Sequence, residues 1–597
     1  MNKIKTEIGE IVSVSGNVIT VQLSDTVKSN MPIIDGIVYR IGQIGSFLKV
    51  PLGYANLYGI VTQIGAAAIP EKFKELVEKD YTKIDNRQWL NMVLVGEQIG
   101  RKFDRGVSQS PTTGDKVHLV TIKDLDIIYG GLDEKNSITV GNISISESLN
   151  AKVDLNKMLS RHCAILGSTG SGKSNAVGVV LGAIANKGFK SSRILVIDPH
   201  GEYSSVFENN SNVYKVKSDD LDKSKELLIP FWALPFEELL SIFSGKLSDQ
   251  NKDYLRSKII EAKLIAVQKN DIKIDKVLVT ADTPIPFSLK KLWFDLDDFE
   301  RQTYNERAKP ETITNKDQIG DPEKLISNMY KPASAGGGAP FLNNTAKGIL
   351  SFLDSVREKL KDSRYKFLFN PKEYTPGLEG KVAHDLGSLL FDWLGGTKPI
   401  TILDLSGVPP EIMASISGTL LKIIYDALFW GQYLKNGGKE QPLLVVLEEA
   451  HNYLKSGENS ISSRAVQTIA KEGRKYGVGL LLVTQRPSEL EETVLSQCGT
   501  IIALRMNNSK DRSHIRSAIQ DELQTMVDLL PSLRTGEAII SGEGVKIPAR
   551  VQFYKLSNAP KGSDPIVSEK WMEESNVTAE DYEKLLRVWR NQDFKEG

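Results

Sequence analysis

Residues 167–174 form a glycine-rich motif whose spacing is suited to binding a polyphosphate. Their sequence, GSTGSGKS, matches the phosphate-loop pattern G-x-x-x-x-G-K-[ST] at every specified position, after an apolar run and before a helical apolar stripe. The glycines let backbone N–H groups wrap phosphate oxygens, and a helix N-terminus adds a favourable dipole. The alternative, a Gly/Ser turn with a chance lysine, is disfavoured by this strand-loop-helix context.

The phosphate loop also suggests roles for individual side chains. Lys173 is predicted to reach the β- and γ-phosphates of ATP, and the Ser174 hydroxyl is predicted to coordinate Mg²⁺. The whole predicted nucleotide site comprises Gly167, Ser168, Thr169, Gly170, Ser171, Gly172, Lys173, Ser174 and Asn175.

Two adjacent acids, Glu448 and Glu449, directly follow the apolar run 443–447. A phosphate-loop ATPase needs one carboxylate to hold Mg²⁺ or its waters and another to orient and deprotonate the attacking water. We predict that Glu448 acts on the metal and Glu449 on the water, with Glu448 standing where aspartate is the usual residue. The alternative is a helix N-terminus enriched in acids because of its dipole.

Two further polar residues flank the apolar run 480–483. Gln485 follows it and is predicted to sense the γ-phosphate, with a capping or surface glutamine as the alternative. Arg474 precedes it, in KEGRKYG, where a guanidinium could stabilise the transferring phosphoryl group on a neighbouring subunit. An exposed arginine at a helix end is an equally common explanation, so these residues alone leave the role of Arg474 open.

Acids also follow two other apolar runs. Acids at the carboxyl end of a strand in an open α/β sheet face the ligand crevice, so Asp198 and Glu202 are predicted near the metal or its waters, with Asp404 in a similar context. A metal site that includes His200 is less favoured than a turn histidine packed on Tyr203. No HExxH spacing or Ser-His-Asp arrangement indicates a hydrolase with its own nucleophile.

The composition excludes several classes of protein. The chain has 597 residues, and its 75 Lys and Arg balance 75 Asp and Glu, so a strongly basic coat is excluded although a local stripe or a ring lumen could bind nucleic acid. Cys163 and Cys498 are too few and too far apart for a disulfide framework or a cysteine zinc module. We found no signal peptide and no apolar run near the ~18 residues of a membrane span, so we expect a soluble cytoplasmic protein without membrane contact.

The pattern of apolar residues divides the chain into segments. Residues 1–145 alternate short β-branched runs with glycine turns, which predicts a small β-barrel. Continuous apolar runs separated by helical patterns predict an α/β core with a parallel sheet at 146–214 and 396–560. Residues 215–395 are predicted to be a mostly helical insertion with a Gly-rich loop, and residues 561–597 a C-terminal helix and tail.

With these motifs in hand, the chain resembles the HerA family of hexameric DNA-translocating ATPases, related to FtsK and the conjugative coupling proteins. The resemblance rests on the barrel-like N-terminal segment and on GSTGSGKS, IDPHGEY, LEEAHNY, KEGRKYG, GLLLVTQRPSE and LPSLRTGEAIISG. It implies a RecA-like core, a homo-hexameric ring with nucleotide between subunits, and double-stranded DNA in the lumen. It also implies that Arg474 acts in trans and that Arg161 is a second arginine near the phosphates.

The resemblance further implies a partner enzyme. Archaeal members of the family work with a nuclease in end resection, and similar bacterial proteins are found beside nucleases or sirtuin-like NADases in anti-phage systems. We therefore expect an ATPase that moves along DNA with such an effector docked on its barrel. The main alternative is a scaffold whose ATP cycle assembles and gates the effector with little translocation. A membrane-coupled secretion ATPase is disfavoured by the lack of a predicted spanning segment.

Overall fold

The protein was analysed as a computed structural model. Its described residues are 6–24, 32–34, 37–39, 41–66, 88–144, 146, 148–216, 223–307, 309–334, 336, 338–458, 460–518, 524–558, 560, 567–572 and 577–591.

A closed barrel forms the N-terminal part of the chain, as predicted. Six antiparallel strands close into a barrel because the strand Val18–Leu23 pairs with Glu7–Ser15 on one side and with Gln88–Ile99 on the other. In their order around the barrel these are Val18–Leu23, Glu7–Ser15, Lys116–Leu119, Phe47–Leu52, Ala55–Ala66 and Gln88–Ile99. A short strand, Lys102–Arg105, pairs antiparallel with the end of Gln88–Ile99. Alternating Ile, Val and Leu side chains fill the interior, which accounts for the two-residue periodicity of the sequence.

The barrel segment ends earlier than the sequence suggested. The strand Ser137–Ile143, assigned to the barrel by its β-branched pattern, pairs with Ala549–Phe553 in the core sheet instead. The intervening helix Ile122–Gly130 is attached to the barrel, because Asp124 accepts hydrogen bonds from Lys49 and Tyr58. The sequence could not show this, because a strand has the same alternating pattern of β-branched residues whether it belongs to a barrel or to the antiparallel part of the core sheet.

The core is a mixed sheet of twelve strands. Eight adjacent strands are parallel and four at one end are antiparallel. Six of the eight parallel strands are buried on both faces, which explains their continuous apolar sequences, and the two exceptions are Ser211–Lys215 and Lys225–Glu226 at the end of the sheet. The order across the sheet is Asn150–Asp154, Ser137–Ile143, Ala549–Phe553, Glu537–Gly542, Thr500–Leu504, Cys163–Leu166, Val478–Thr484, Leu443–Leu447, Arg193–Asp198, Ile400–Asp404, Ser211–Lys215 and Lys225–Glu226.

Helices cover this sheet, and a second group forms the insertion. The core helices are Leu155–Ser160, Lys173–Ala185, Met413–Trp430, Ile461–Glu472, Glu492–Leu495, Ser509–Ala518 and Gln524–Val527. The described part of the insertion contains the helices Phe236–Ser241, Asp249–Lys269, Leu289–Arg301, Leu350–Lys361, Lys366–Phe369 and Leu386–Leu394, joined by turns and irregular segments. Short antiparallel strand pairs accompany them, at Thr303–Tyr304 with Phe341–Leu342 and at Lys316–Gln318 with Met329–Tyr330.

The C-terminal region contains two short exposed helices. They span Val567–Met572 and Ala579–Asn591, and the second is amphipathic. The sequence predicted one helix followed by a tail.

One helix among the described residues, Pro410–Trp430, is long and apolar enough to cross a membrane by length and composition alone. It packs against Ile461–Glu472, and 61% of its most apolar window is buried in the fold. Its composition is apolar enough because Lys422 and Asp426 are the only charged residues between Met413 and Trp430. Its burial is that of a core helix.

Candidate active site

The phosphate loop connects the buried strand Cys163–Leu166 to the helix Lys173–Ala185. Gly170 and Gly172 have φ of +70° and +98°, backbone conformations that L side chains rarely adopt. No side chain caps the first turn of the helix, so its N–H groups are available to an anion. The loop therefore has the backbone geometry of a phosphate site.

Two neighbouring segments brace this loop. The carbonyl of Arg505 accepts hydrogen bonds from the backbone N–H and the hydroxyl of Ser168, at 3.0 and 2.9 Å. On the other side, the Gly536 N–H donates to the carbonyl of Ser171 at 2.8 Å. A Cβ on Gly172 would lie 2.9 Å from the Gly536 nitrogen, so the close packing here requires glycine at 172.

Lys173 and Ser174 are placed as the motif predicts, at the start of the helix. The Lys173 side chain is nearly buried and, among the described residues, has no hydrogen-bond or ion-pair partner. Its positive charge favours the ionised form of both Glu448 and Glu449. The Ser174 hydroxyl donates to Glu202 Oε2 at 2.7 Å, which brings a further carboxylate to the loop. These residues form one charged cluster.

Glu448 is the most deeply buried acid of this cluster. Burial, reinforced by the negative charges of Glu202, Asp198 and Glu449, raises its pKa well above the usual value. Its Oε2 atom is buried without a hydrogen-bond partner. Such an atom is costly unless a cation or a donor satisfies it.

Glu449 is held in a different environment from its neighbour. Burial alone would raise its pKa, but the hydrogen bond with His451 and the charge of Lys173 outweigh burial and lower it. His451 Nδ1 lies 3.2 Å from Glu449 Oε2 and 3.0 Å from the Thr484 hydroxyl. The backbone of Glu449 has φ of +49°, a conformation uncommon outside glycine and often found at functional sites.

Gln485 contacts the phosphate loop directly. Its Oε1 accepts a hydrogen bond of 2.6 Å from the Thr169 hydroxyl. The two residues follow adjacent parallel strands, whose ends meet at the same edge of the sheet. This contact places Gln485 beside the phosphate loop, and its role as a γ-phosphate sensor stays a prediction.

Two predicted site residues have their side chains engaged elsewhere. The carboxylate of Asp198 accepts three backbone N–H groups, from His200, Gly201 and Tyr203, at 2.9–3.2 Å. Burial together with the charge of Asp404 raises its pKa to about 6. Asp198 therefore shapes the following loop through these backbone contacts, and its role as a metal ligand stays a prediction.

Asn175 also binds protein groups. Its amide donates to the Tyr554 carbonyl at 2.8 Å and accepts from the Leu556 N–H at 3.0 Å. Its side chain consequently holds the C-terminal segment against the helix, and only its backbone N–H, in the first turn, faces the phosphate loop. The sequence could not show this because the partner lies far along the chain.

Arg161 and Arg474 lie at the opposite edge of the parallel sheet. Each precedes a strand, whereas the phosphate loop, Glu448 and Gln485 each follow one. The four residues of Cys163–Leu166 span about 13 Å, so Arg161 is far from the phosphate loop of its own chain. Arg161 pairs with Glu543 at 2.5 Å, and Arg474 is exposed with no ion-pair or hydrogen-bond partner among the described residues. Arg161 therefore cannot contact phosphates that are bound to the loop of its own chain.

Three residues contribute to the site although no sequence motif indicated them. Arg505 braces the loop through its carbonyl, and its Nη2 lies 3.4 Å from the Gly170 carbonyl. His451 and Thr484 form the polar chain behind Glu449. The signal for Arg505 was present, because it directly follows the apolar run TIIAL, as Gln485 follows its own run.

The residues present fit a Mg²⁺ ion that is held mainly by phosphate. No group of three or more His, Cys, Asp or Glu side chains in the described part of the chain is arranged to bind a metal alone. Mg²⁺ commonly uses one or two carboxylates together with phosphate oxygens and waters. The unpartnered Oε2 of Glu448, with Ser174 and Glu202 nearby, suits that mode of binding.

A phosphate loop, two strand-end glutamates and a strand-end glutamine along one edge of a largely parallel sheet define a RecA-like P-loop ATPase. Two family models match this chain: the helicase HerA central domain at residues 138–424 and the helicase HerA-like C-terminal domain at residues 410–586. The chain belongs to the HerA helicase family and is an ATPase of the helicase type.

Relatives of this chain carry the same family name. The DNA double-strand break repair helicases HerA of Sulfolobus acidocaldarius and Saccharolobus solfataricus are 26% and 27% identical, over 77% and 79% of both chains respectively. The HerA of Pyrococcus furiosus is 26% identical over 74% of this chain and 73% of its own.

Solved structures of similar shape include VirB4 of Thermoanaerobacter pseudethanolicus, with 14% identity and a TM-score of 0.45 over 72% of this chain and 99% of its own. The plasmid coupling protein TrwB in complex with ADP and Mg²⁺ has 13% identity and a TM-score of 0.39 over 73% and 94%.

Proposed function

We propose that this protein is a homo-hexameric ring ATPase that couples the hydrolysis of Mg²⁺-ATP to movement along double-stranded DNA. The observation that carries the proposal is the distribution of charged groups between the two edges of the sheet. One edge holds the phosphate loop and Glu448, and the other presents Arg474, whose side chain has no partner within the part of the chain that the structure describes. The names of the archaeal relatives, repair helicases that act on DNA double-strand breaks, support DNA as the track.

Hydrolysis is assigned to the residues at the phosphate edge. Lys173 binds the β- and γ-phosphates, with the loop N–H groups around them. Ser174 and Glu448 would hold Mg²⁺, with Glu202 placed to accept its waters, and the ion would neutralise charge on the phosphates. Glu449 orients and deprotonates the attacking water, because its lowered pKa keeps it ionised near neutral pH.

The opposite edge supports assembly into a ring. A head-to-tail contact that brings the Arg474 edge of one subunit to the phosphate edge of the next is heterologous, and such contacts form a ring when the rotation between subunits closes. Arg474 then stabilises the charge on the phosphoryl group bound by its neighbour, a role for which a planar guanidinium is well suited. Arg161, at the same edge, becomes a second arginine that can act on the neighbouring site.

We assign to the barrel the role of binding a partner enzyme. All residues of the phosphate site lie outside it, and it is attached to the core by Arg105, which donates to the carbonyls of Gly542 and Lys546 at 2.6 Å each. Six barrels on one rim would form a multivalent platform for a nuclease or a sirtuin-like NADase. We propose that such a complex works in the cytoplasm, in DNA end processing or in anti-phage defence.

Translocation can be separated from simple scaffolding with a labelled duplex that carries a tightly bound protein roadblock. The wild-type ring is expected to hydrolyse ATP faster with duplex DNA and to displace the roadblock only when ATP is present. Glu449→Gln serves as the control that binds nucleotide without hydrolysis. Hydrolysis that DNA does not stimulate, together with a roadblock that stays bound, would overturn translocation and favour an ATP-gated scaffold.

A further inference from the structure

His162 lies between Arg161 and the phosphate-loop strand, and its ring is buried. Its backbone has φ of +54°, in the left-handed region that non-glycine residues enter at a cost in free energy. Such a conformation persists only where surrounding contacts determine it, and it often marks a functional position. The proposed hydrolytic mechanism gives this histidine no role.

The imidazole of His162 forms hydrogen bonds at both ends of residues 471–479, the segment that contains Arg474. Its Nδ1 accepts a hydrogen bond from the Leu480 N–H at 3.0 Å, and its Nε2 donates to the Ala470 carbonyl at 3.0 Å. Ala470 and Leu480 bracket residues 471–479, which carry Arg474. Burial lowers the pKa of His162, which keeps the Nδ1 lone pair available for this contact. Both ends of the Arg474 segment are therefore attached to a single ring.

The backbone around His162 is fixed to the sheet as well. The Arg161 carbonyl accepts the Gly499 N–H at 2.6 Å, and the His162 carbonyl accepts the Thr500 N–H at 3.3 Å. A Cβ on Gly479 would lie 2.3 Å from the Leu159 carbonyl oxygen, so the Arg474 segment approaches this backbone closely. Arg161 and the Arg474 segment thus share one rigid support.

We propose that His162 is a positioning residue that holds Arg161 and Arg474 in a fixed relation at the edge facing the next subunit. The inference rests on the proposed trans role of Arg474. Since the Arg474 side chain has no partner among the described residues, its placement depends on the backbone that His162 anchors. A displacement of about 1 Å in a group that positions a reaction can cost ~10²-fold in rate.

The test compares His162→Gly with His162→Asn in the full-length ring. Glycine removes both hydrogen bonds and tolerates the positive φ, so the backbone is not strained by the change. Asparagine also tolerates this φ, and its Oδ1 can accept from the Leu480 N–H in place of Nδ1. Cys498→Ala is the matched control, because it removes a small buried side chain at the same edge, whose sulfur contacts the Val494 carbonyl.

We expect His162→Gly to lower kcat by about 10- to 100-fold with the KM for ATP unchanged, because the phosphate loop of each subunit is intact. His162→Asn is expected to recover part of kcat. Mixing His162→Gly with Lys173→Ala subunits is expected to restore activity, because some interfaces then pair an intact loop with an intact arginine edge. Cys498→Ala rings are expected to turn over at the wild-type rate.

The outcomes separate this inference from the function on which it rests. If Arg474→Ala keeps wild-type turnover, the trans role itself is wrong. If Arg474→Ala is inactive while His162→Gly keeps its kcat, raises KM instead, or shows no recovery in mixed rings, the positioning role alone is overturned. A kcat loss in Cys498→Ala equal to that of His162→Gly would also overturn it, since it would indicate general damage to the edge.

Discussion

The Thr169 hydroxyl donates a hydrogen bond of 2.6 Å to Gln485 Oε1. This contact joins the tip of the phosphate loop to the end of the neighbouring strand Val478–Thr484. The same strand carries Thr484, whose hydroxyl contacts His451 behind Glu449. The end of this strand therefore contacts both the loop that binds phosphate and the residues behind the proposed base.

Gln485→Ala is expected to lower kcat while leaving ATP affinity within about a factor of ten, because a neutral hydrogen bond contributes only about 0.5–1.5 kcal/mol. Thr169→Val removes the same contact from the other side. If Gln485 also senses the γ-phosphate, its substitution lowers kcat further than Thr169→Val does. Equal losses in kcat for the two variants, measured by steady-state kinetics with and without duplex DNA, would contradict a sensing role.

Glu449→Gln is expected to bind ATP normally and to lose hydrolysis, because the amide keeps the shape of the carboxylate but cannot act as a base. Lys173→Ala is the matched comparison, which is expected to lose hydrolysis and weaken ATP binding, since it removes the cation at the phosphates. Calorimetric ATP titration and phosphate release separate the two variants, and thermal unfolding checks the fold of both. Normal turnover by Glu449→Gln would show that another acid, such as Glu202, is the general base.

The acid limb of the pH profile should report on Glu449. Its pKa is lowered in the folded protein, so the catalytic carboxylate persists as pH falls and is lost only below the usual range for glutamate. His451→Ala removes the lowering hydrogen bond and leaves the burial that raises the pKa, so the acid limb of kcat/KM is expected to move to higher pH. An acid limb in the same place in both proteins would show that Glu449 is not the titrating base.

The sequence predicted the phosphate edge well because each of its residues follows an apolar run, and parallel strands bring such residues together. It could not show that a side chain is bound by local backbone, as in the three N–H groups that donate to Asp198. It also failed where partners are distant, as in the contact of Asn175 with Tyr554. Neither kind of contact leaves a periodic signal in the amino-acid pattern.

Arg474→Ala is expected to bind ATP and to lose about 10³- to 10⁵-fold in turnover, the range for an arginine finger, whereas a surface arginine contributes almost nothing. Mixed with Lys173→Ala subunits, it should regain part of its activity, because some interfaces then hold one intact loop and one intact arginine. Native mass measurement must first show that the rings are mixed. Mixed rings that stay inactive would argue against action in trans.

The barrel should be removable without loss of nucleotide chemistry, provided that the cut respects the core sheet. A chain that starts at Leu132 lacks the barrel and the helix Ile122–Gly130 but keeps Ser137–Ile143. It is expected to form rings and to hydrolyse ATP. A chain that starts at Leu149 also loses that strand, whose Ile138, Val140 and Ile143 are buried, and is expected to be less stable by about 5 kcal/mol or more at 1.5–3 kcal/mol per side chain.

The two truncated chains together test the docking role of the barrel. The full chain, purified from its host, is expected to bring nuclease or NADase activity with it, and the chain starting at Leu132 is expected to lose that activity while remaining a ring. Arg105→Ala in the full chain is a milder companion, because it breaks only the two hydrogen bonds from the barrel to the Gly542–Lys546 turn. If the Leu132 chain dissociates to monomers, the barrel is an assembly element, because the six barrels would then be holding neighbouring subunits together.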